Sequence, residues 1–369
     1  MILYAFMPPP IGFYKSLVEY TWTSAWQEVA DYFDMHYMPV YTDQLNRLNH
    51  MCEMFDTLTN HNYECIVVLD DDWAWNHDAL IPHIKNKWPN SKIVITSSDL
   101  DLWNFHIEHY FTMISEEQIT GQEWYEEYLE TLDLGNVYHK YQKKNKHFFK
   151  WFDFINQDVD LLLDPNSCVT HDASKKWESR QFIYNVSTPV AEAFLSTEDT
   201  DKEYDGICLA AFGENDHAPR WQMKKCLDSF NYKLLQGGNA EKNSHEIESI
   251  KSLYHKSKVC IGTSTRGSGV VHPRGSKGFR DWIAPLCDIP LIYDDFTELN
   301  NFDVNIPTYE FFKWEEIVDL TDELYNDKKL RKSIVEEQRE FSLANTLDKQ
   351  LINIFNDVLF STEQKVGTN

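Results

Sequence analysis

YDGICLAAFGENDHAPRWQMKKCLDSFNYKLLQGG, Tyr204–Gly238, alternates in a way that decides the fold class. GICLAAF is a short apolar run of strand type, and GENDHAPR gathers the Gly, Asn, Asp and Pro of a loop. WQMKKCLDSF has helical spacing, and YKLLQGG reads as a second strand closed by a glycine turn. Two strands joined through a helix pair in parallel, so the stretch is one βαβ unit. The rhythm continues with HEIESIKSLYHKS (helix), KVCIGT (strand), a Gly-rich loop, GFRDWIAPLC (helix) and IPLIYDD (strand). From Trp314 the pattern turns helical, with EEIVDLTDELY and then KLRKSIVEEQREFSL.

Toward the start of the chain the same alternation appears once more. ILYAFM near residue 2, CIVVLD at 65–70, KIVIT at 92–96 and VDLLL at 159–163 are strand-like. Tyr41–Thr59 places Leu45, Leu48, Met51, Met54 and Phe55 at helical spacing. The acidic segment Asp199–Tyr204 separates the two series. A chain of 369 residues exceeds what one hydrophobic core ordinarily supports. The expectation is an α/β protein of two Rossmann-like domains facing each other across a cleft. The first domain spans 1–190 and the second 200–346, with a C-terminal helix near 347–369 packing back on the first. Open α/β sheets bind ligands beyond the carboxyl ends of their strands, so function is sought in the loops that follow them.

Composition narrows the partners. Apolar residues make up 42% and charged residues 25%, which suits packed cores. The formal charge of -25 argues against a uniformly basic surface for nucleic acid. One local exception is Tyr138–Trp151, YHKYQKKNKHFFKW, where Lys143, Lys144 and Lys146 alternate with aromatics that include Trp151. Such a stretch holds a phosphate backbone and stacks on a base, and it reads equally as a solvated helix with a basic face. No apolar run reaches the ~20 residues of a membrane span, and MILYAFMPPP lacks the features of a signal peptide, so a cytoplasmic protein with no membrane partner is expected. The seven Cys show no CxxC spacing and mostly sit in apolar surroundings, which predicts buried thiols.

The strongest chemical signal is Thr263–Asp281, TSTRGSGVVHPRGSKGFRD. Four Gly allow backbone N–H groups to approach phosphate oxygens, and Arg266, Arg274, Lys277 and Arg280 supply positive charge between a strand and a helix. A diphosphate is the expected guest. Neither GxGxxG nor a Walker A pattern occurs, which disfavours a dinucleotide oxidoreductase or a P-loop ATPase. Asp281 can accept hydrogen bonds from ribose hydroxyls or form a surface pair with Lys277. Arg220, after the first loop of the second series, can add a phosphate contact. Asp99 follows the strand KIVIT, so its carboxylate is placed to act as a general base, with Asp101 as competitor and a helix N-cap as the plain alternative. Asp70–Asp72 looks like a DxD metal clamp, yet the triplet is short and also reads as a solvent-facing turn, so no dedicated Mg or Mn site is assigned.

In order of elements the chain resembles the DNA β-glucosyltransferase family of T-even bacteriophages, two-Rossmann (GT-B) enzymes that move glucose from UDP-glucose onto 5-hydroxymethylcytosine. The resemblance lies in CIVVL with KIVITSSDL, in YDGICLAAFG with YKLLQGGNA, in RDWIAPLCDIPLIYDD, and in ELYNDKKLRKSIVEEQ. It implies a monomeric glycosyltransferase that acts on double-stranded phage DNA in the host cytoplasm. It implies Asp99 as catalytic base and an acid near Asp281 on the ribose. The family's phosphate-binding Arg has no direct match, its place falling to Arg274, Lys277 or Arg280, and its two loop arginines fall near Gly213 and His217 and are not preserved, with Arg220 as the substitute. Backbone near Glu246 and Ile247 corresponds to the uracil contact. The departures leave the donor open between UDP-glucose, UDP-arabinose and similar sugars. An acceptor base inside a duplex is reached by flipping, which the residues of 138–151 would support.

Overall fold

In a computed structural model of the chain, the described residues are 1–7, 13–41, 55–70, 77–96, 159–164, 180–182, 191–197, 200–209, 218–236, 247–262, 282–294, 307, 309–311 and 313–360. They form two parallel sheets. The first contains β1 (Ile2–Met7), β2 (His36–Tyr41), β3 (Cys65–Asp70), β4 (Ser91–Thr96), β5 (Leu161–Asp164) and β6 (Arg180–Phe182), in the order β2-β1-β3-β4-β5-β6. The second contains β7 (Tyr204–Cys208), β8 (Leu234–Gln236), β9 (Ser257–Gly262), β10 (Leu291–Asp294) and β11 (Tyr309–Phe311), in the order β11-β10-β9-β7-β8. Counted from its own first strand, the second sheet runs 2-1-3-4-5 and the first runs 2-1-3-4-5-6, the doubly wound order whose direction reverses between the first and third strands.

The strands are apolar on both faces because both faces are covered. In β1, Tyr4 and Phe6 enter one core while Leu3 and Ala5 enter the other. In β3, Cys65, Val67 and Leu69 face one side, and Ile66 and Val68 the opposite one. This two-residue period also divides β9, where Cys260 packs apart from Val259 and Ile261. Helix α1 (Phe13–Tyr32) covers one face of the first sheet with Trp26, Val29 and Ala30, and α2 (His77–Lys87) covers the other with Leu80, Ile81 and Ile84. On the second sheet, α3 (Ala218–Ser229) and α6 (Glu316–Asn326) share a face. Helices α4 (Ile247–His255) and α5 (Ile283–Leu286) pack on the other.

Three helices end alike. Asp34, Asn231 and Asp288 adopt φ of 51°, 57° and 63°, and the residue after each donates its N–H five residues back, Met35 to Ala30, Tyr232 to Leu227 and Ile289 to Ala284. These are Schellman closures, in which Asn or Asp tolerates the left-handed region while the chain turns toward its next strand.

The last helices divide between the two sheets. In α7 (Lys328–Ala344), the buried Gln338 amide accepts from the Leu291 N–H at 3.0 Å and donates to the Leu291 carbonyl at 2.7 Å, completing the edge of β10. Arg339 bonds the Pro285 carbonyl and the Asp288 carboxylate nearby. Then α8 (Leu347–Ile354) and the turn that follows it bury Leu347, Leu351, Phe355 and Leu359 in the core of the first sheet beside Trp26. Lys92 secures that end, donating to the Leu359 carbonyl at 2.8 Å with its ammonium 5.2 Å from the Phe360 ring.

Several boundaries differ from the sequence expectation. Tyr41 closes β2 rather than opening a helix, and residues 42–54 lie outside the described residues. Strands β2, β6 and β11 have no apolar run to announce them because they are sheet edges; Pro39 is tolerated in β2 for that reason. Tyr204 begins β7 and is not linker, and the residues before it are stitched to the second unit. Thr200 and Lys202 side chains both donate to the His255 carbonyl, and Ser196 Oγ lies 2.9 Å from His255 Nε2.

At the amino edge of the second sheet Asp205 receives Lys258 Nζ at 2.6 Å and the Lys233 N–H at 2.8 Å. Burial alone would raise this carboxyl, but the Lys258 hydrogen bond, the Lys233 amide and both ammonium charges outweigh it and hold Asp205 below the ordinary carboxylate range. A depressed folded-state pKa contributes stability above the unfolded-state value and loses it as pH falls through the folded value. Asp205→Asn is therefore expected to lower stability by about 1–2 kcal/mol at neutral pH. The loss should shrink on acidification, read as converging urea midpoints of the two proteins between neutral and strongly acid pH.

Candidate active site

The order reversal in the second sheet falls between β7 and β9, which pair with Ile207 opposite Cys260. Their carboxyl ends are Cys208 and Gly262. The residue after Gly262 is Thr263, so the cationic Gly-rich segment begins at the place where a doubly wound sheet binds its ligand. In the first sheet the reversal falls between β1 and β3, and β4 lies beside β3. Asp99 follows the last residue of β4, Thr96, by three positions.

Of the site residues expected from sequence, Arg220 and Ile247 are described. Arg220 is the third residue of α3, 9% exposed. A guanidinium in the first turn of a helix meets the positive end of the macrodipole, and burying it adds a desolvation cost. Ile247 is the first residue of α4 and packs at the margin of the core. Asp99, Asp101, Lys143, Lys144, Lys146, Trp151, Gly213, Glu246, Arg266, Arg274, Lys277, Arg280 and Asp281 lie outside the described residues.

The stems of the cationic segment are described, and sequence reading passed over both. Gly262 is overlain by Tyr293 of β10: a Cβ there would sit 2.1 Å from the ring's Cδ2 and Cε2. Trp282, the residue after Asp281, is fully buried against Phe341 with ring centroids 5.2 Å apart, and its carbonyl accepts from Ser342 Oγ at 3.4 Å. Among the described residues the Trp282 indole N–H has no hydrogen-bond partner, and neither does that of Trp221, whose ring lies 5.4 Å from Lys225 Nζ. A glycine closing a β-branched run was the one signal in the sequence for the first stem.

Other chemistry recedes. Cys65, Cys208, Cys260 and Cys287 are buried and Cys226 is half-buried, while Cys52 and Cys168 lie outside the described residues. Burial pushes the Cys65 and Cys287 thiols up to about 12, which keeps them protonated and poor nucleophiles. Asp70 ends β3, and Asp71 and Asp72 lie outside the described residues. No described helix is long and apolar enough to cross a membrane.

No protein-family model matches the chain, and no curated protein matches it in sequence. Solved structures do resemble it. Sucrose-phosphate synthase from Thermosynechococcus elongatus superposes with a TM-score of 0.54 at 10% identity, over 98% of this chain and 100% of that one. The Anabaena protein HepE, in complex with UDP and glucose, gives 0.51 at 9% identity over 98% and 100%. The DNA-modifying enzyme β-glucosyltransferase gives 0.49 at 12% identity over 97% and 99%, too weak a likeness to add to the fold argument. The fold is therefore that of the GT-B glycosyltransferases, two Rossmann-like α/β units in one chain.

Proposed function

We propose that this chain is a glycosyltransferase that moves a sugar from a UDP-sugar onto 5-hydroxymethylcytosine in double-stranded phage DNA. The observation that carries the donor half is the placement of Gly262, from which the only stretch combining four Gly with four Lys or Arg leaves the sheet at its order reversal. In this reading Arg266, Arg274, Lys277 and Arg280 neutralise the diphosphate, with Arg220 and the backbone at Gly213 beside them. Asp281 holds the ribose, and the backbone at Glu246 and Ile247 meets the uracil.

The acceptor half draws on the resemblance set out above. Asp99 takes the proton of the hydroxymethyl oxygen as that oxygen bonds to the anomeric carbon, and the UDP oxygen leaves with the electron pair of the broken bond. Asp101, Lys143, Lys144, Lys146 and Trp151 receive the extruded nucleotide and its flanking phosphates.

Incubation with hydroxymethylcytosine DNA and a panel of UDP-glucose, UDP-arabinose and related donors, read by nucleoside mass spectrometry, tests the whole proposal. A mass increase of one sugar residue on hydroxymethylcytosine is expected with one donor. No added sugar with any donor rejects the DNA acceptor. The net charge of -25 favours a second reading, in which the same donor site serves a protein, glycan or lipid head group. Binding of UDP together with failure to bind duplex DNA at low salt selects that reading. A chain that binds UDP and transfers no sugar to any acceptor is a nucleotide-binding protein of the same fold.

A further inference from the structure

We infer that Tyr293, acting through Gly262, is a positioning residue for donor binding, an inference that rests on the UDP-sugar reading above. The two residues are opposite each other in the parallel pair of β10 and β9. Neighbouring side chains in such a pair stand side by side on one face, but Gly262 has none, and the Tyr293 ring lies flat in the space a side chain would take. A Cβ on Gly262 would approach ring carbons Cδ2 and Cε2 to 2.1 Å and Cζ to 3.1 Å, the first two closer than any real contact. Tyr293 is fully buried, so its ring cannot swing aside into solvent.

Position along the strand gives this contact its function. Gly262 is the last residue of β9, and the cationic segment starts at the next residue. That segment returns to described structure at Trp282, which belongs to the same buried cluster as Tyr293. One rigid core therefore holds both stems, and the ring sets the height of Gly262 at the carboxyl end of the sheet. Charged groups meant for a diphosphate bind it well only when their stems are already placed, because ordering them on binding would consume affinity.

A contact of the same kind without this position provides the control. Gly206, in the middle of β7, is overlain by Tyr232, whose hydroxyl oxygen would stand 2.5 Å from an added Cβ. Substitution there also brings a Cβ to 2.9 Å from Ile261 Cδ1, and it strains the buried cluster of Tyr232 and Ile261 on the opposite face of the sheet from Tyr293 and Trp282.

The test measures UDP binding calorimetrically on the full chain and on Gly262→Ala, Tyr293→Leu, their double variant, Tyr293→Phe and Gly206→Ala, at a temperature where circular dichroism shows each folded. Gly262→Ala and Tyr293→Leu should each weaken UDP binding by about tenfold. The double variant should bind no more weakly than the worse single one, because both act through one contact. Tyr293→Phe should stay within about twofold of the native chain, since the ring and not the hydroxyl does the positioning. Gly206→Ala should lower the thermal midpoint and leave UDP affinity unchanged. Should Gly262→Ala fail to fold, the contrast between Tyr293→Leu and Tyr293→Phe decides. Undiminished UDP affinity in folded Gly262→Ala or Tyr293→Leu, or strictly additive losses in the double variant, overturns the inference. Absence of UDP binding by the native chain overturns the donor reading first and this inference with it.

Discussion

Replacing Leu351 and Phe355 together by Ala is expected to unfold the first unit while the second keeps its structure. Both side chains are fully buried in the core that joins the first sheet to α1, Phe355 with its ring centroid 5.8 Å from that of Trp26. Leu→Ala in a core costs about 2–5 kcal/mol and Phe→Ala about 3–5 kcal/mol, from lost transfer energy and the cavity left behind. The residues are one helical turn apart and share a cavity, so the sum is an upper bound. Even a loss of about 5 kcal/mol rivals the whole stability of many domains. Hydrogen exchange read by mass spectrometry should show rapid exchange in Ile2–Met7, Cys65–Asp70 and Ser91–Thr96, with Tyr204–Cys208 and Ser257–Gly262 still protected. Equal loss of protection in both sheets would show that the two units unfold as one.

Asp99→Asn should reduce the rate of sugar transfer by about 10²–10⁴-fold and leave UDP affinity within about twofold. The amide keeps the size and hydrogen-bonding reach of the carboxylate but cannot take the hydroxyl proton, so the loss falls on the chemical step. In the proposed reading the donor is bound by residues of the second unit, from which Asp99 is separated in sequence by β5 and β6. Single-turnover transfer at saturating donor, with UDP titrated calorimetrically on the same preparation, separates the two quantities. Unchanged turnover removes Asp99 from its role, and Asp101→Asn is then the variant that should show the loss.

The fold was legible in the sequence because its strands are interior. ILYAFM, CIVVLD, KIVIT, KVCIGT and IPLIYDD are apolar on both faces, and a strand between two helical layers cannot be otherwise. Of the four edge strands among the described residues, β8 was still legible from its paired leucines, whereas β2, β6 and β11 were not: no described strand flanks their outer side, and they carry His, Pro, Gln or Glu. VDLLL was seen two residues early, since β5 begins at Leu161. Of the expected helix GFRDWIAPLC, Ile283–Leu286 is helical and residues 278–281 lie outside the described residues, while Asp288 turns the chain left-handed two residues after the helix ends.

By itself the sequence determined the alternation of strand and helix, the break between two series, and the concentration of glycine and positive charge in one segment, all of which are local in the chain. Tertiary structure alone decided that both sheets share the order 2-1-3-4-5, that Gly262 stands beside the reversal of that order, that Tyr293 occupies the space its missing side chain leaves, and which side chains of the C-terminal helix, Leu347, Leu351, Phe355 and Leu359, enter the core of the first sheet. These are contacts between segments far apart in sequence, chosen by the burial of surfaces that no local pattern pairs.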